Sequence, residues 1–143
     1  MSADYPSMTT AEIRSKFLNF FEERGLKLYP SSSLVPDDPS LLLANAGMNQ
    51  FKEYYQGKKT MKEIGAISCQ KCVRTNDIDC IGEDGRHLSF FEMLGDFSFG
   101  GVSKQQACAW AFELITKEFK LPLDRLYFTV FTEDDETHDC LLY

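Results

Sequence analysis

The chain has 143 residues, 43% of them apolar and 26% charged, a composition that supports one packed domain and excludes a disordered one. Its formal charge of −7 excludes a protein that grips nucleic acid through a broad basic surface, so any RNA contact must be local. Five cysteines, odd in number and irregular in spacing, make no disulfide framework and point to a reducing, cytoplasmic setting; no apolar run is long enough for a bilayer, so no membrane partner is expected.

Residues 1–8 read as a flexible N-terminal lead. Thr9 with Glu12 three positions on forms a capping-box pattern, and Ile13, Phe17, Phe20 and Phe21 recur at helical spacing as core residues. Gly25 stands where a helix end wants a positive φ. Residues 27–30 are short and extended, and the run Val35, Pro36, Asp37, Asp38, Pro39 breaks regular structure. Residues 41–44 then read as a buried strand, and Asn45, Ala46, Gly47 and Met48 as a tight turn. Residues 51–55 suit a short helix, followed by Lys58, Lys59 and Lys62 on a solvated basic stretch.

Residues 66–73 and 88–99 contain the arms of a hairpin joined by a polar, acidic connection. Ser103 can cap a helix to residue 119 whose apolar face is Ala107, Trp110, Ala111, Leu114, Ile115 and Phe119, with Pro122 blocking its continuation. Residues 126–131 alternate like a strand, and the acidic run Glu133, Asp134, Asp135, Glu136 suits the first turn of a last helix.

The hairpin carries the chemistry. Arg74 ends one arm, and Arg86 and His87 begin the other, so cations and an aromatic ring share one patch of sheet. A triphosphate and a flat base need that set, because arginine grips phosphate oxygens with two parallel N–H bonds and an aromatic face stacks on the base. A rival reading takes Cys69, Cys72, Cys80 and His87 as a zinc knuckle. Cys69 and Cys72 lie three apart in a strand and so face opposite ways, and no metal site is expected.

Residues 70–100, QKCVRTNDIDCIGEDGRHLSFFEMLGDFSFG, closely resemble motif 2 of the class II aminoacyl-tRNA synthetases, in the version of the alanyl-tRNA synthetase family. The run TAEIRSKFLNFFEERGLKLYPSSSLVPDDPSLLLANAGMNQFK resembles that family's opening, with its motif 1 region ending near Pro36. The similarity continues through WAFELITKEFKLPLDRLYFTVFTEDDE, so it covers residues 9–136 in matching order. It implies an α+β fold, a mainly antiparallel sheet with flanking helices, in which residues 9–143 form the N-terminal part of the catalytic domain.

The implied reaction is ATP-dependent activation of alanine to alanyl-adenylate and its transfer to tRNA(Ala), with Mg²⁺ neutralising the phosphates. By the same resemblance Arg74 bridges the α-phosphate and the amino-acid carboxylate. Two registers fit the returning strand, Arg86 with Phe90 or His87 with Phe91. The family's usual Arg-His-His-Thr-Phe-Phe-Glu-Met favours the second: His87 then meets the γ-phosphate, Phe91 stacks under adenine, and Phe90 is core. Leu88 replaces a second histidine; its main chain can still bond to adenine. Gly101, Val102 and Ser103, before Lys104, depart from the family's Asp-Tyr-Phe-Lys. Asp77 is a candidate contact for the substrate amine or the tRNA end, beside an Asx-turn reading, and Asn45 and Met48 belong to a block near the pocket.

Motif 3, with its second nucleotide arginine, has no counterpart here, nor has the editing region that holds the family's zinc. The chain therefore reads as truncated and inactive alone, with self-association through an exposed sheet edge. The alternative is a non-catalytic synthetase-like fragment that binds nucleotide weakly or pairs with a partner chain.

Overall fold

A computed structural model describes residues 7–75 and 78–141. Helix α1 (Thr10–Glu22) begins at a complete capping box: the Thr9 hydroxyl accepts from Glu12 N at 3.2 Å, and the Glu12 carboxylate accepts from Thr9 N at 2.7 Å. It buries Phe17, Phe20 and Phe21 and gives way to Gly25 at φ +87°. Strand β1 (Lys27–Leu28) runs parallel to β2 (Gly65–Val73), which pairs antiparallel with β3 (Phe90–Ser98) in the order β1-β2-β3.

The β2–β3 register runs without a bulge from Gly65↔Ser98 to Val73↔Phe90. Successive side chains alternate faces, so this one register sorts both strands. On one face Ile67 joins Phe17, Phe20, Phe21, Leu26 and Leu114 in the core, with Leu94 and Trp110 packed against it. On the other, Ala66, Ser68, Gln70 and Cys72 stand opposite Phe97, Gly95, Met93 and Phe91. That second face is covered by a 3-10 turn (Gly47–Phe51) leading into α2 (Lys52–Tyr55). Aromatic rings fasten it: Phe51 lies 4.8 Å from Phe97, and Tyr55 4.7 Å from Phe99.

Ser103 caps α3 (Lys104–Glu113), and a wider turn (Leu114–Glu118) carries Leu114 into the core. Lys120 at φ +53° ends the helical run before Pro122. An ion pair of 2.7 Å between Arg24 and Glu113 ties α1 to α3. Helix α4 (Asp135–Leu141) starts where the acidic run expects it, with the Asp134 carboxylate accepting from Thr137 N at 3.1 Å.

Four expectations need correction. Residues 41–44 form no strand: Leu42 is 93% exposed and only Ala44 is buried, held by Val73 N donating to its carbonyl at 2.9 Å. Residues 126–131 have no ladder partner among the described residues, and Tyr127 is 92% exposed; alternation permits a strand, but pairing requires a neighbour. The helix from Ser103 exposes Ala107 and Ala111, because its contact with α1 runs through Trp110 and Leu114. The returning strand begins at Phe90, within residues 88–99, and Phe90 is 52% exposed instead of core, paired with Val73 at the end of the β2–β3 register.

Emptying the core at its centre separates the two apolar runs. Ile67→Ala is expected to destabilise the fold by roughly 3 kcal/mol in urea unfolding. Leu42→Ala, at the exposed position the pattern marked as buried, is expected to change it by less than about 0.5 kcal/mol.

Candidate nucleotide site

Arg74 lies one residue past β2, and its N–H donates to Ser89 O at 2.9 Å, which extends the hairpin by one rung. Parity puts its side chain on the face of Gln70 and Cys72, away from α1. Two contacts orient the guanidinium: Nε donates to the main-chain carbonyl of Asn45 at 3.0 Å, and the cation lies 5.3 Å from the centre of the Phe91 ring. The terminal nitrogens Nη1 and Nη2 have no hydrogen-bond partner among the described residues. The result is a fork aimed outward from a fixed base.

The carbonyl that aims it is fixed in turn. Gly47 N donates to Met93 Sδ at 3.2 Å, and a Cβ on Gly47 would come within 3.3 Å of the Phe97 ring, so the turn sits flush on the sheet. Asn49 donates to the Asn45 side chain at 3.1 Å, while Met48 faces outward, 45% exposed. Behind this lies Gln70, 1% exposed and fully used. Its Oε1 accepts from Ser32 N, Ser32 Oγ and Gln50 Nε2 at 2.9, 3.1 and 3.1 Å, and its Nε2 donates to Ser32 O and Lys71 O at 3.2 and 2.8 Å. It locks the residue 32 loop and the 3-10 turn to β2. Gln70 and Met93 are absent from the candidates read in the sequence; counting back in twos from Arg74, and forward in twos from Phe91, would have reached both.

Phe91, half-buried opposite Cys72, shares the face of Arg74; Phe90 does not. His87 and Leu88 lie before β3 in an exposed connection. There Asp84 organises a turn, its Oδ1 accepting from Arg86 N at 2.9 Å and His87 N at 3.1 Å and its Oδ2 lying 2.7 Å from His87 Nδ1. Those two amides first, then the imidazole, lower the Asp84 carboxyl from 3.8 to about 2. Asp77 lies outside the described residues. Cys69 and Cys72 stand on opposite faces of β2, and no group of three metal-ligating side chains occurs among the described residues.

A concavity of about 560 Å³ lies elsewhere. It lies between the residue 32–39 loop and α2 and reaches neither Arg74 nor Phe91. Two of its lysines are already engaged, Lys52 with Asp38 at 2.6 Å and Lys59 with Glu53 at 2.5 Å. Arg74 and Phe91, both half-buried, form a shelf on this face of the sheet.

Residues 12–142 match the sequence profile of the tRNA synthetases class II (A). The chain is 54% identical to an alanine–tRNA ligase, chloroplastic/mitochondrial, of Sorghum bicolor over 89% of its own length and 13% of the relative's. It is 52% identical to alanine–tRNA ligases of Synechocystis sp., over 95% of this chain and 16% of the relative, and of Pseudothermotoga lettingae, over 91% and 15%. The chain thus spans 13–16% of the length of these relatives.

The depressed Asp84 value fixes a sign. Its carboxylate supports the turn fully above 3.8 and that support is lost as pH falls through about 2. The Arg86 and His87 amide resonances are therefore expected to hold their hydrogen-bonded shifts at neutral pH and lose them across that acid window. In Asp84→Ala they should be lost at every pH, with the β2–β3 amides unchanged.

Proposed function

We propose, from the premise that this chain belongs to the class II (A) tRNA synthetases, that it carries the nucleotide-gripping hairpin of an alanine–tRNA ligase. In the reaction an alanine carboxylate oxygen attacks the α-phosphorus of ATP, the bond to pyrophosphate breaks, and alanyl-adenylate forms. The tRNA(Ala) 3′ end then takes the alanyl group and AMP leaves. Both reactants of the first step are anions, so the protein's work is to place them in line and spread the phosphate charge.

The observation that carries the reading is the Arg74 fork, with Nε committed to Asn45 O and both terminal nitrogens without a hydrogen-bond partner among the described residues, beside Phe91. A guanidinium so held can bond an α-phosphate oxygen and the alanine carboxylate together, at little cost in side-chain ordering. Phe91 stacks on adenine, the Leu88 main chain bonds the base edge, and His87, on its Asp84 turn, reaches the γ-phosphate. Asn45 and Met48 border the pocket, and Asp77 is the acid offered to the amine or the tRNA end. Mg²⁺ arrives as part of the Mg–ATP substrate. Residues 9–143 belong to one catalytic domain, and the edge of β3, unpaired among the described residues, is a surface for association. The free cysteines suit a reducing, cytoplasmic compartment.

A second reading, a non-catalytic module that holds nucleotide weakly, draws on the placement of His87 and Leu88 in the exposed connection before β3. One assay separates the two. In an alanine–tRNA ligase carrying this segment, Arg74→Ala should lower alanine-dependent pyrophosphate exchange by roughly a hundredfold to a thousandfold. Near-normal exchange would remove Arg74 from the mechanism. The 143 residues by themselves supply one wall of donors and are expected to bind ATP weakly, by calorimetry, and to show no aminoacylation.

A further inference from the structure

Helices α3 and α4 are joined at their first turns, where Lys104 Nζ lies 2.7 Å from Asp134 and 3.6 Å from Glu136. Residues four apart on a helix stack on one face. Cys108 therefore stands one turn above Lys104, and Cys140 one turn above Glu136, as the next rung of the same ladder. Both are half-buried free thiols. Packed helices have axes about 8–10 Å apart and Cα atoms on cylinders of radius about 2.3 Å, which leaves roughly 3.5–5.5 Å between facing Cα atoms. A disulfide spans about 4.4–6.8 Å between Cα atoms, a range that overlaps this general separation.

The other thiols offer no such pair. Cys69 and Cys72 face opposite ways on β2, and Cys80 is exposed in the connection between the arms. The electrostatics agree with the geometry: partial burial first, then Cys108, Glu136, Asp139 and Asp134, hold the Cys140 thiol above its ordinary value. Cys108 is thus within range of Cys140, and the raised Cys140 thiol makes the pair slow to react at neutral pH. Such a pair resists casual oxidation and responds to a strong oxidant.

We propose that Cys108 and Cys140 form an oxidation site, a reversible disulfide between α3 and α4 made under peroxide. One thiolate attacks a peroxide oxygen, the O–O bond breaks, and one water leaves a sulfenic acid behind. The second thiolate attacks that sulfur, the S–S bond forms, and the sulfenic oxygen departs as water. Two thiols lose two electrons and two protons, and hydrogen peroxide is reduced to two waters. A dithiol reverses it by exchange. The bond pins α4, otherwise held mainly by surface ion pairs and the Asp134 cap, and it touches neither Arg74 nor Phe91.

The test treats the whole chain with hydrogen peroxide, blocks remaining thiols with iodoacetamide, and maps non-reduced peptides by mass spectrometry. The expected product is a Cys108–Cys140 cross-linked peptide lacking two hydrogens, lost on adding dithiothreitol. Cys108→Ser and Cys140→Ser should each abolish it, and Cys80→Ser should leave its yield unchanged. In denaturing urea its yield should drop at least tenfold. Alkylation of both thiols after peroxide, equal yields of cross-links to Cys80, or an unchanged yield in urea would each overturn the proposal.

Discussion

The pairing of β2 with β3 in a single unbroken register decides what every side chain of the hairpin can do. Ile67 and Leu94 reach the α1 core because odd positions of β2 and even positions of β3 share one face, and Gln70, Cys72, Phe91 and Met93 are thereby committed to the other. A slip of one residue would drive Gln70 into the phenylalanines and turn Ile67 to the shelf, burying an amide without its five hydrogen bonds. The hydrophobic effect and polar satisfaction therefore select the same register. Glycine sharpens that choice: a Cβ on Gly95 would lie 2.6 Å from the Phe97 ring, and one on Gly65 2.4 Å from Phe97 O.

The second face is not a core in the ordinary sense. It is closed by a short 3-10 turn and one turn of helix, elements too short to be stable alone, and their stability comes from packing. Phe51 is the anchor, touching Tyr29, Phe97 and Phe99 by its ring. Gln70 adds direction to that adhesion. Aromatic contact fixes how close the turn lies, and hydrogen bonds to Ser32 and Gln50 fix where along β2 it sits. The Asn45 carbonyl inherits its position from both.

The elements legible in the sequence are those specified locally. Thr9 with Glu12, Gly25, Ser103 and the acidic run near residue 134 each carry their own hydrogen-bonding or dihedral reason, and each lies at the helix end it marks. The antiparallel arms were legible because apolar content, turn chemistry and a recognisable motif agreed. What failed depended on neighbours. Residues 126–131 have a strand's alternation and no described strand beside them, and Leu42 belongs to an apolar run that a loop displays rather than buries. Gln70 escaped notice because a glutamine in a strand announces nothing until its five partners are in place. His87 and Leu88 were placed on the strand by motif alone, whereas the Asp84 turn claims His87 for the connection.

The chain is net negative, and many of its described cations are engaged by carboxylates, among them Arg14 by Glu92, Arg24 by Glu113, Lys27 by Glu63, Lys52 by Asp38 and Lys104 by Asp134. Arg74 is held differently, by a carbonyl dipole and a ring face. A carboxylate partner would also have oriented the guanidinium, but it would have cancelled the charge an incoming phosphate needs and would have repelled that phosphate. A main-chain carbonyl orients without neutralising, and no side-chain substitution can remove it directly. In a chain with no general attraction for anions, an arginine aimed by a neutral acceptor keeps its charge for a ligand, and that distinguishes Arg74 from the surface pairs around it.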